Sequence, residues 1–129
     1  PVIDEGEADV IVSFELLEAA RWTRFLRSGG KIVTNTQQMN PMPVITGAAT
    51  YPSELVRKMT DAGFDVDAID ALSLAQQAGS AKAVNIVLMG RLSRCFDFTR
   101  EQWMTAIAAS VPEKYLELNK KAFILGAEA

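Results

Sequence analysis

The sequence predicts an α/β fold: a parallel sheet with crossover helices, followed by a C-terminal helical segment. Two short runs rich in β-branched residues, 8–14 and 31–35, flank a segment with the apolar spacing of a helix. A strand, a helix and a strand within about 30 residues form a βαβ unit, in which the two strands are parallel. After residue 71 only helical patterns occur.

The first half of the chain begins with the run 8–14, which is nearly continuously apolar, as in a strand buried in a parallel sheet. Residues 15–26 have helical spacing, and their acidic residues precede their basic ones, which suits the helix dipole. The glycine pair 29–30 is predicted to end this helix, and the strand 31–35 follows.

The segment 36–52 contains three prolines and predicts irregular structure, with a short extended piece at 44–46. An irregular segment of this length is uncommon in a compact domain, so it is a candidate functional or interface loop. Ser53 is predicted to cap a helix that runs to residue 62. The alternating residues 64–70 then predict a third strand.

Four helices are predicted after the last strand. The first covers 71–78 and ends at Gly79, and the second covers 80–95. Thr99 begins the third with a capping-box pattern, and the fourth starts with Pro112.

The helix predicted over 80–95 is apolar nearly all round, which is typical of a buried helix. Asn85 lies in the middle of this run, and a buried amide without partners costs about 1–3 kcal/mol. Asn85 therefore either bonds to backbone groups in a core or lies at an interface. Trp103 and Tyr115 also fit a core or an interface, and we take these three residues as candidates for a partner interface.

The composition excludes several kinds of site. The chain has no histidine and one cysteine, Cys95, so it lacks the residues for a Ser-His-Asp triad, a His-ligated metal site, an iron–sulfur cluster or a four-ligand zinc site. The net charge of −3 without a basic cluster argues against a nucleic-acid partner. No apolar run is as long as the roughly 18 residues that a membrane-spanning helix needs. A single thiol, which cannot form an intrachain disulfide, is compatible with the reducing cytoplasm. We expect no catalytic residue and no metal ligand in this chain.

Three strands are few for an open α/β sheet, and no G-x-G-x-x-G turn occurs in the sequence. The pattern therefore indicates a fold truncated at its N-terminus, or a sheet completed by another segment.

The candidate ligand-binding residues lie where the second predicted strand ends. Asn35, Thr36 and Gln37 follow the carboxyl end of a parallel strand, which is where ligands bind in open α/β sheets. The alternative is that they begin a turn.

For the other polar residues a structural role is a simpler explanation than catalysis or ligand binding. Asp67 and Asp70 are spaced like an acid/base pair, although Asp70 also suits the cap of the next helix. Glu15 is either a cleft residue or a first-turn carboxylate, and Cys95 is expected to be a small hydrophobe. A solvated helix face, with an anionic partner as the alternative, is expected for Arg21, Arg24 and Arg27.

Several short motifs occur in order along almost the whole chain. They begin with EGEADV at 5–10, FE at 14–15, LEA at 17–19, GG at 29–30 and VTNT at 33–36. They continue with QQMNPMPV at 37–44, Gly47, YP at 51–52, DA at 70–71, LA at 74–75, AGS at 78–80, AVN at 83–85, Gly90, VP at 111–112, Lys114, Asn119 and AF at 122–123. The sequence resembles the gamma-type subunits of 2-oxoacid:ferredoxin oxidoreductases, and the motifs from 37 onward resemble the beta subunits of indolepyruvate oxidoreductases.

This resemblance implies a Rossmann-like fold. The chain would form a single domain over 1–129, the C-terminal two-thirds of a gamma-type domain that lacks its first strand and G-x-G-G-Q-G loop. It implies the oxidation of an aryl 2-oxoacid such as indolepyruvate with coenzyme A, which gives acyl-coenzyme A, carbon dioxide and reduced ferredoxin. The family uses thiamine diphosphate and iron–sulfur clusters. We expect both in the partner subunit and no cofactor on this chain.

The resemblance also implies the partners. They are a catalytic alpha-type subunit in a hetero-oligomer, and ferredoxin through that complex, with self-association of the chain where the sheet is incomplete. The first alternative is the gamma subunit of a pyruvate or branched-chain 2-oxoacid enzyme. A stand-alone Rossmann-like nucleotide-binding module and a pure assembly module are the others.

Overall fold

The computed structural model describes residues 2–129, which divide into two compact units, one ending at Ile69 and one beginning at Asp70. The elements of the first unit are β1 (Ala8–Ser13), α1 (Leu16–Arg21), β2 (Leu26–Asn35), α2 (Met42–Ile45), α3 (Leu55–Asp61) and β3 (Asp65–Ile69). Those of the second unit are α4 (Ala71–Ala78), α5 (Val84–Leu92), α6 (Arg100–Ser110) and α7 (Leu116–Glu128).

In the first unit the described residues form a parallel sheet with the strand order β1-β2-β3. Val12 of β1 pairs with Val33 of β2, which pairs with Asp67 of β3. α1 lies between β1 and β2 in the chain and α3 between β2 and β3, so both connections are crossovers. The predicted α/β class, with a parallel sheet followed by helices, is confirmed.

The core of the first unit lies where α1 and α3 pack on the central strand. Its buried members are Leu16, Ala19, Leu26, Ile32, Leu55 and Met59. Full burial of one leucine or isoleucine side chain contributes about 1.5–3 kcal/mol, so these contacts hold both helices against the sheet.

The glycine pair at 29–30 does not end a helix, and that prediction is wrong. α1 already stops at Arg21, a 3₁₀ turn follows over Thr23–Phe25, and Gly29 and Gly30 lie inside β2. Ala8 of β1 pairs with Leu26 of β2, but Val10, two residues later, pairs with Lys31, five residues later. β2 therefore carries extra residues at this point, which form a bulge. Gly29 has φ +68°, and a Cβ on Gly30 would lie 2.5 Å from a Leu26 side-chain carbon. Glycines allow this bulge because it requires a left-handed backbone and close contact.

Two predictions in the next segment are also wrong. Val44 and Ile45 are in the short helix α2 rather than an extended piece, because prolines are tolerated in the first turn of a helix, where the missing N–H has no partner. α3 begins at Leu55, and its N-cap is Glu54, with φ 57°, instead of Ser53.

The helix starts of the second unit largely follow the sequence pattern. Asp70 caps α4 by accepting from the Ser73 backbone N–H, and Gly79 ends α4 with φ 126°. Thr99 forms the predicted capping box at α6. The helix predicted from Pro112 is divided into a 3₁₀ turn over Glu113–Tyr115 and then α7. Every helix within residues 2–129 is too short or too polar to cross a membrane.

The helix predicted over 80–95 consists of a 3₁₀ turn, α5 and another 3₁₀ turn. Val87 and Leu88 are fully buried, whereas Asn85 and Met89 are exposed on the opposite side. The prediction that this helix is buried on all sides is therefore wrong for the described residues. The exposure of Asn85 removes the alternative in which its amide bonds within a core.

α5 and α7 cross in very close contact. A Cβ on Gly90 would lie 2.1 Å from the Phe123 carbonyl oxygen, and one on Gly126 would lie 1.9 Å from the Val87 carbonyl oxygen. Neither position has room for a side chain. These two glycines therefore set the distance between the two helices that form the core of the second unit.

Candidate functional site

The candidate site lies at the carboxyl edge of the sheet in the first unit. Asn35 is the last residue of β2 and is fully buried, whereas Thr36 and Gln37 are exposed. The Asn35 amide nitrogen donates to the Phe14 carbonyl at 3.2 Å and to Gln37 Oε1 at 3.3 Å. Asn35 therefore joins the end of β1 to the loop after β2, and it leaves Thr36 and Gln37 as the two candidates that face solvent.

Glu15, expected as either a cleft residue or a first-turn carboxylate, instead lies just before the first turn of α1 and points into the protein. It is the N-cap of α1, its side chain is buried, and its Oε2 accepts from the Glu18 backbone N–H at 2.8 Å. Its Oε1 accepts from the Met39 backbone N–H at 3.1 Å and from the Tyr51 hydroxyl at 2.5 Å. One carboxylate thus joins the start of α1 to both ends of the loop 36–52.

Tyr51 completes this junction. Its hydroxyl donates to Glu15 and accepts from the Leu17 backbone N–H at 3.0 Å. The Leu16 backbone N–H donates to the Gln37 carbonyl at 3.1 Å. The first N–H groups of a helix have no partner within it, so the loop binds α1 where donors are free. The only sequence signal for Tyr51 is the motif YP at 51–52.

The electrostatics of Glu15 and Tyr51 fix their protonation states. Burial raises the pKa of Glu15, but the hydrogen bonds from Tyr51 and from backbone N–H groups outweigh it, so this pKa lies below its ordinary value. Burial, followed by the hydrogen bond to Glu15 and its charge, raises the pKa of Tyr51 to about 12. At neutral pH the carboxylate is charged and the phenol is protonated, as their hydrogen bond requires.

The surface of this loop is apolar and uncharged. No charged residue occurs between Lys31 and Glu54, yet the large side chains of Met39, Met42 and Ile45 are each more than 60% exposed. Phe14, at the end of β1, is also exposed. Adjacent exposed apolar side chains of this size are typical of surfaces that contact another molecule.

The predicted interface residues lie in the second unit. Trp103 is partly buried, packs edge-on against Phe98 at 5.9 Å between ring centroids, and packs against Phe123 at 5.5 Å. Its indole nitrogen is buried and has no hydrogen-bond partner among residues 2–129. Tyr115 is about half exposed, with the Lys114 ammonium 4.8 Å from its ring centroid. Asn85 is exposed as well, so all three are partly or fully accessible in this chain.

Asp70, which the sequence spaces with Asp67 like an acid/base pair, is the N-cap of α4. Asp70 is committed to its cap: Ser73 donates to it from both its backbone and its hydroxyl, and these bonds hold the pKa of Asp70 below its ordinary value. The capping role that the sequence favoured for Asp70 is confirmed.

The residues present do not fit an iron–sulfur cluster. Such a cluster needs several thiolates, and the sequence contains only Cys95. Over the described part of the chain no three carboxylate, thiol or imidazole groups lie close enough to hold a metal ion. No chemical step through a cofactor is therefore assigned to these residues.

Curated relatives match nearly the whole chain. The indolepyruvate oxidoreductase subunits IorB of Thermococcus kodakarensis and Pyrococcus horikoshii are 41% and 40% identical to it over 133 residues, which cover 99% of this chain. The IorB subunit of Archaeoglobus fulgidus is 33% identical over 130 residues. The chain spans 66% of the length of the first two relatives.

A solved structure supports the fold. It is described as the gamma subunit of a keto/oxoacid ferredoxin oxidoreductase from Geobacter sulfurreducens, and it matches 98% of this chain and 66% of its own chain with a TM-score of 0.69 and 21% identity. The profile of the pyruvate ferredoxin/flavodoxin oxidoreductase family matches residues 1–129. Because that match covers the whole chain, this chain belongs to the pyruvate ferredoxin/flavodoxin oxidoreductase family.

Proposed function

We propose that this chain is part of a subunit of an indolepyruvate (aryl 2-oxoacid):ferredoxin oxidoreductase. The enzyme would convert the 2-oxoacid and coenzyme A to acyl-coenzyme A and carbon dioxide, and would pass the electrons to ferredoxin. The observation that carries this proposal is the identity of 41% and 40%, over 99% of the chain, with relatives that are named as indolepyruvate oxidoreductase subunits.

The proposed role of this chain is to hold and contact its partner. Thiamine diphosphate and the iron–sulfur clusters would belong to a catalytic alpha-type subunit, which is supported by the single cysteine and the absence of histidine. The complex would be a hetero-oligomer in the cytoplasm, and ferredoxin would meet the complex as a whole.

Two surfaces are proposed to serve this role. The loop 36–52, with Thr36 and Gln37 exposed and Asn35 beneath them, would border the partner's active site or its cofactor. Asn85, Trp103 and Tyr115 would lie at a subunit interface. The exposure of Met39, Met42 and Ile45 supports the first surface, because such side chains lose contact with water when a partner covers them.

The incomplete sheet is proposed to drive self-association of the isolated chain. Among the described strands, β1 is paired only with β2, and Val12 on it is 38% exposed. Val2, Ile3 and Trp22 are also exposed, and with β1 they line an apolar depression of about 500 Å³. An apolar edge strand is a template for pairing with another chain.

The decisive experiment is a ferredoxin-linked assay with the tagged protein and the larger subunit that co-purifies with it. We expect ferredoxin reduction that requires indolepyruvate, coenzyme A and both subunits. Activity with pyruvate and none with indolepyruvate would reject the aryl substrate.

The family's description as pyruvate ferredoxin/flavodoxin oxidoreductases favours one second candidate, the gamma subunit of a pyruvate or branched-chain 2-oxoacid enzyme. The same assay with a panel of 2-oxoacids distinguishes the two. If no iron-containing partner co-purifies, the subunit role fails and a stand-alone nucleotide-binding or assembly module takes its place.

A further inference from the structure

A cavity in the second unit shares no lining residue with the loop 36–52, or with Trp103 and its ring neighbours Phe98 and Phe123. It has a volume of about 450 Å³ and is lined by Ser80, Lys82, Ala83, Tyr115, Leu118 and Asn119. Pockets that bind small molecules typically have volumes of about 300–1,000 Å³, and this cavity falls in that range. The 3₁₀ turn over Ala81–Ala83 and its N-cap Ser80 contribute the first three lining residues. The 3₁₀ turn over Glu113–Tyr115 and the helix α7 contribute the others.

The polar groups of this cavity are mainly hydrogen-bond donors. Ser80 Oγ accepts from the Lys82 backbone N–H at 3.2 Å, which leaves its own hydroxyl hydrogen for another acceptor. Asn119 uses one amide hydrogen on the Tyr115 carbonyl at 2.9 Å and keeps the second. Tyr115, which is about half exposed, adds a further hydroxyl to the lining.

The charge of the cavity has one sign. Lys82 is exposed, and no carboxylate within the described chain lies at ion-pair distance from its ammonium. No lining residue carries a negative charge. The Lys114 ammonium lies 4.8 Å from the centroid of the Tyr115 ring and adds a second positive charge near the cavity. Ala83 and Leu118 supply apolar surface beside these groups.

We propose that this cavity binds a small organic anion. Its carboxylate or phosphate group would meet Lys82 and the hydroxyls of Ser80 and Tyr115, and its apolar part would lie against Leu118 and Ala83. Charged donors and hydroxyls around one pocket match the acceptor oxygens of an oxyanion. Tyr115 is also among the proposed interface residues, whereas Ser80 and Lys82 are not, so the test uses the chain without a partner and does not depend on the proposed function.

The test is a titration of the ¹⁵N-labelled chain, followed by NMR, with benzoate and with phenyl phosphate as probes. Acetate and inorganic phosphate serve as the matching anions without an apolar part. We expect saturable shifts centred on the amides of Lys82, Ala83 and Asn119, with tighter binding of the two aryl probes. The stronger of the two aryl probes identifies the oxyanion group.

Lys82→Ala should weaken binding of that probe about tenfold or more, because it removes a charged hydrogen-bond donor from the lining of the cavity. Lys121→Ala removes the same charge from an exposed position of α7 outside the cavity, and it should leave the affinity unchanged. Tyr115→Phe keeps the ring and should weaken binding less than Lys82→Ala. Equal losses in the two lysine variants, or shifts spread over the whole surface, would overturn the proposal.

Discussion

Glu15 joins three segments of the first unit through one side chain. Its carboxylate caps α1, binds the backbone of Met39 and accepts from Tyr51. A buried carboxylate is tolerated when donors surround it, and here every donor comes from the helix start or from the loop. The conformation of the loop 36–52 therefore depends on a residue that lies outside it.

Tyr51→Phe should lower the free energy of unfolding of the first unit by about 1–2 kcal/mol, because the Leu17 N–H loses its acceptor and Glu15 loses a donor. Urea unfolding followed by Trp22 fluorescence, in a Trp103→Phe background, measures this unit. Tyr115→Phe, which removes a half-exposed hydroxyl from the second unit, is the matched control and should change the value by less than about 0.5 kcal/mol. Equal effects of both changes would contradict the role of Tyr51.

Glu15→Gln should reduce stability in a pH-dependent way. The folded pKa of Glu15 lies below its unfolded value of about 4.3, so the carboxylate's contribution is fully present above that value and is lost as pH falls through the folded pKa. We expect wild type to exceed the variant in unfolding free energy at pH 7, with a difference that shrinks below about pH 4. A difference that stays constant from pH 7 to pH 3 would show that shape, and not charge, accounts for the loss.

At the scale of elements, the contact between α5 and α7 leaves no room for a methyl group at Gly90 or Gly126. Alanine normally favours a helix over glycine by about 1 kcal/mol. At these two positions steric overlap with a carbonyl oxygen opposes that preference, and overlap with backbone is not relieved by a change of rotamer.

Gly126→Ala should therefore destabilise the second unit by about 2 kcal/mol or more, as overpacking does in other cores. Unfolding followed by Trp103 fluorescence in a Trp22→Phe background measures it. Ala108→Gly, at an exposed position of α6, measures the helix preference alone and should cost about 1 kcal/mol. If Gly126→Ala is stabilising, the two helices do not cross as closely as described.

The elements were largely predictable because their signals are local. Apolar runs, caps such as Asp70 and the capping box at Thr99 act within a few residues, and all of these occur as predicted. The glycine pair 29–30 was misread because glycines suit both a helix end and a strand bulge, and pairing with β1 decides between them. The bond between Glu15 and Tyr51 joins residues 36 positions apart, so no local pattern could reveal it.

At the scale of the whole molecule, the family assignment and the fold agree, while the chain covers 66% of the length of its relatives. Among the described strands, the side of β1 away from β2 is unpaired, and apolar side chains such as Val12 are in contact with water there. The effect of this surface on the isolated chain is measurable.

Val12→Lys should reduce self-association of the chain, since a lysine on an edge strand opposes pairing with a second strand. Sedimentation velocity across a concentration series measures the distribution of species. Ser110→Lys adds the same charge at an exposed helix end in the second unit and should leave that distribution unchanged. Identical distributions for wild type and both variants would exclude β1 as the surface of association.

The absence of charge from the loop 36–52 has a practical consequence for mapping contacts. Trypsin has no cleavage site between Lys31 and Arg57, so this loop is released within a single peptide that also carries Tyr51. Amine-reactive cross-linkers have no lysine to modify there. The exposed thioethers of Met39 and Met42 are the natural probes instead: hydroxyl-radical footprinting will oxidise them in the free chain and spare them wherever a partner covers the loop.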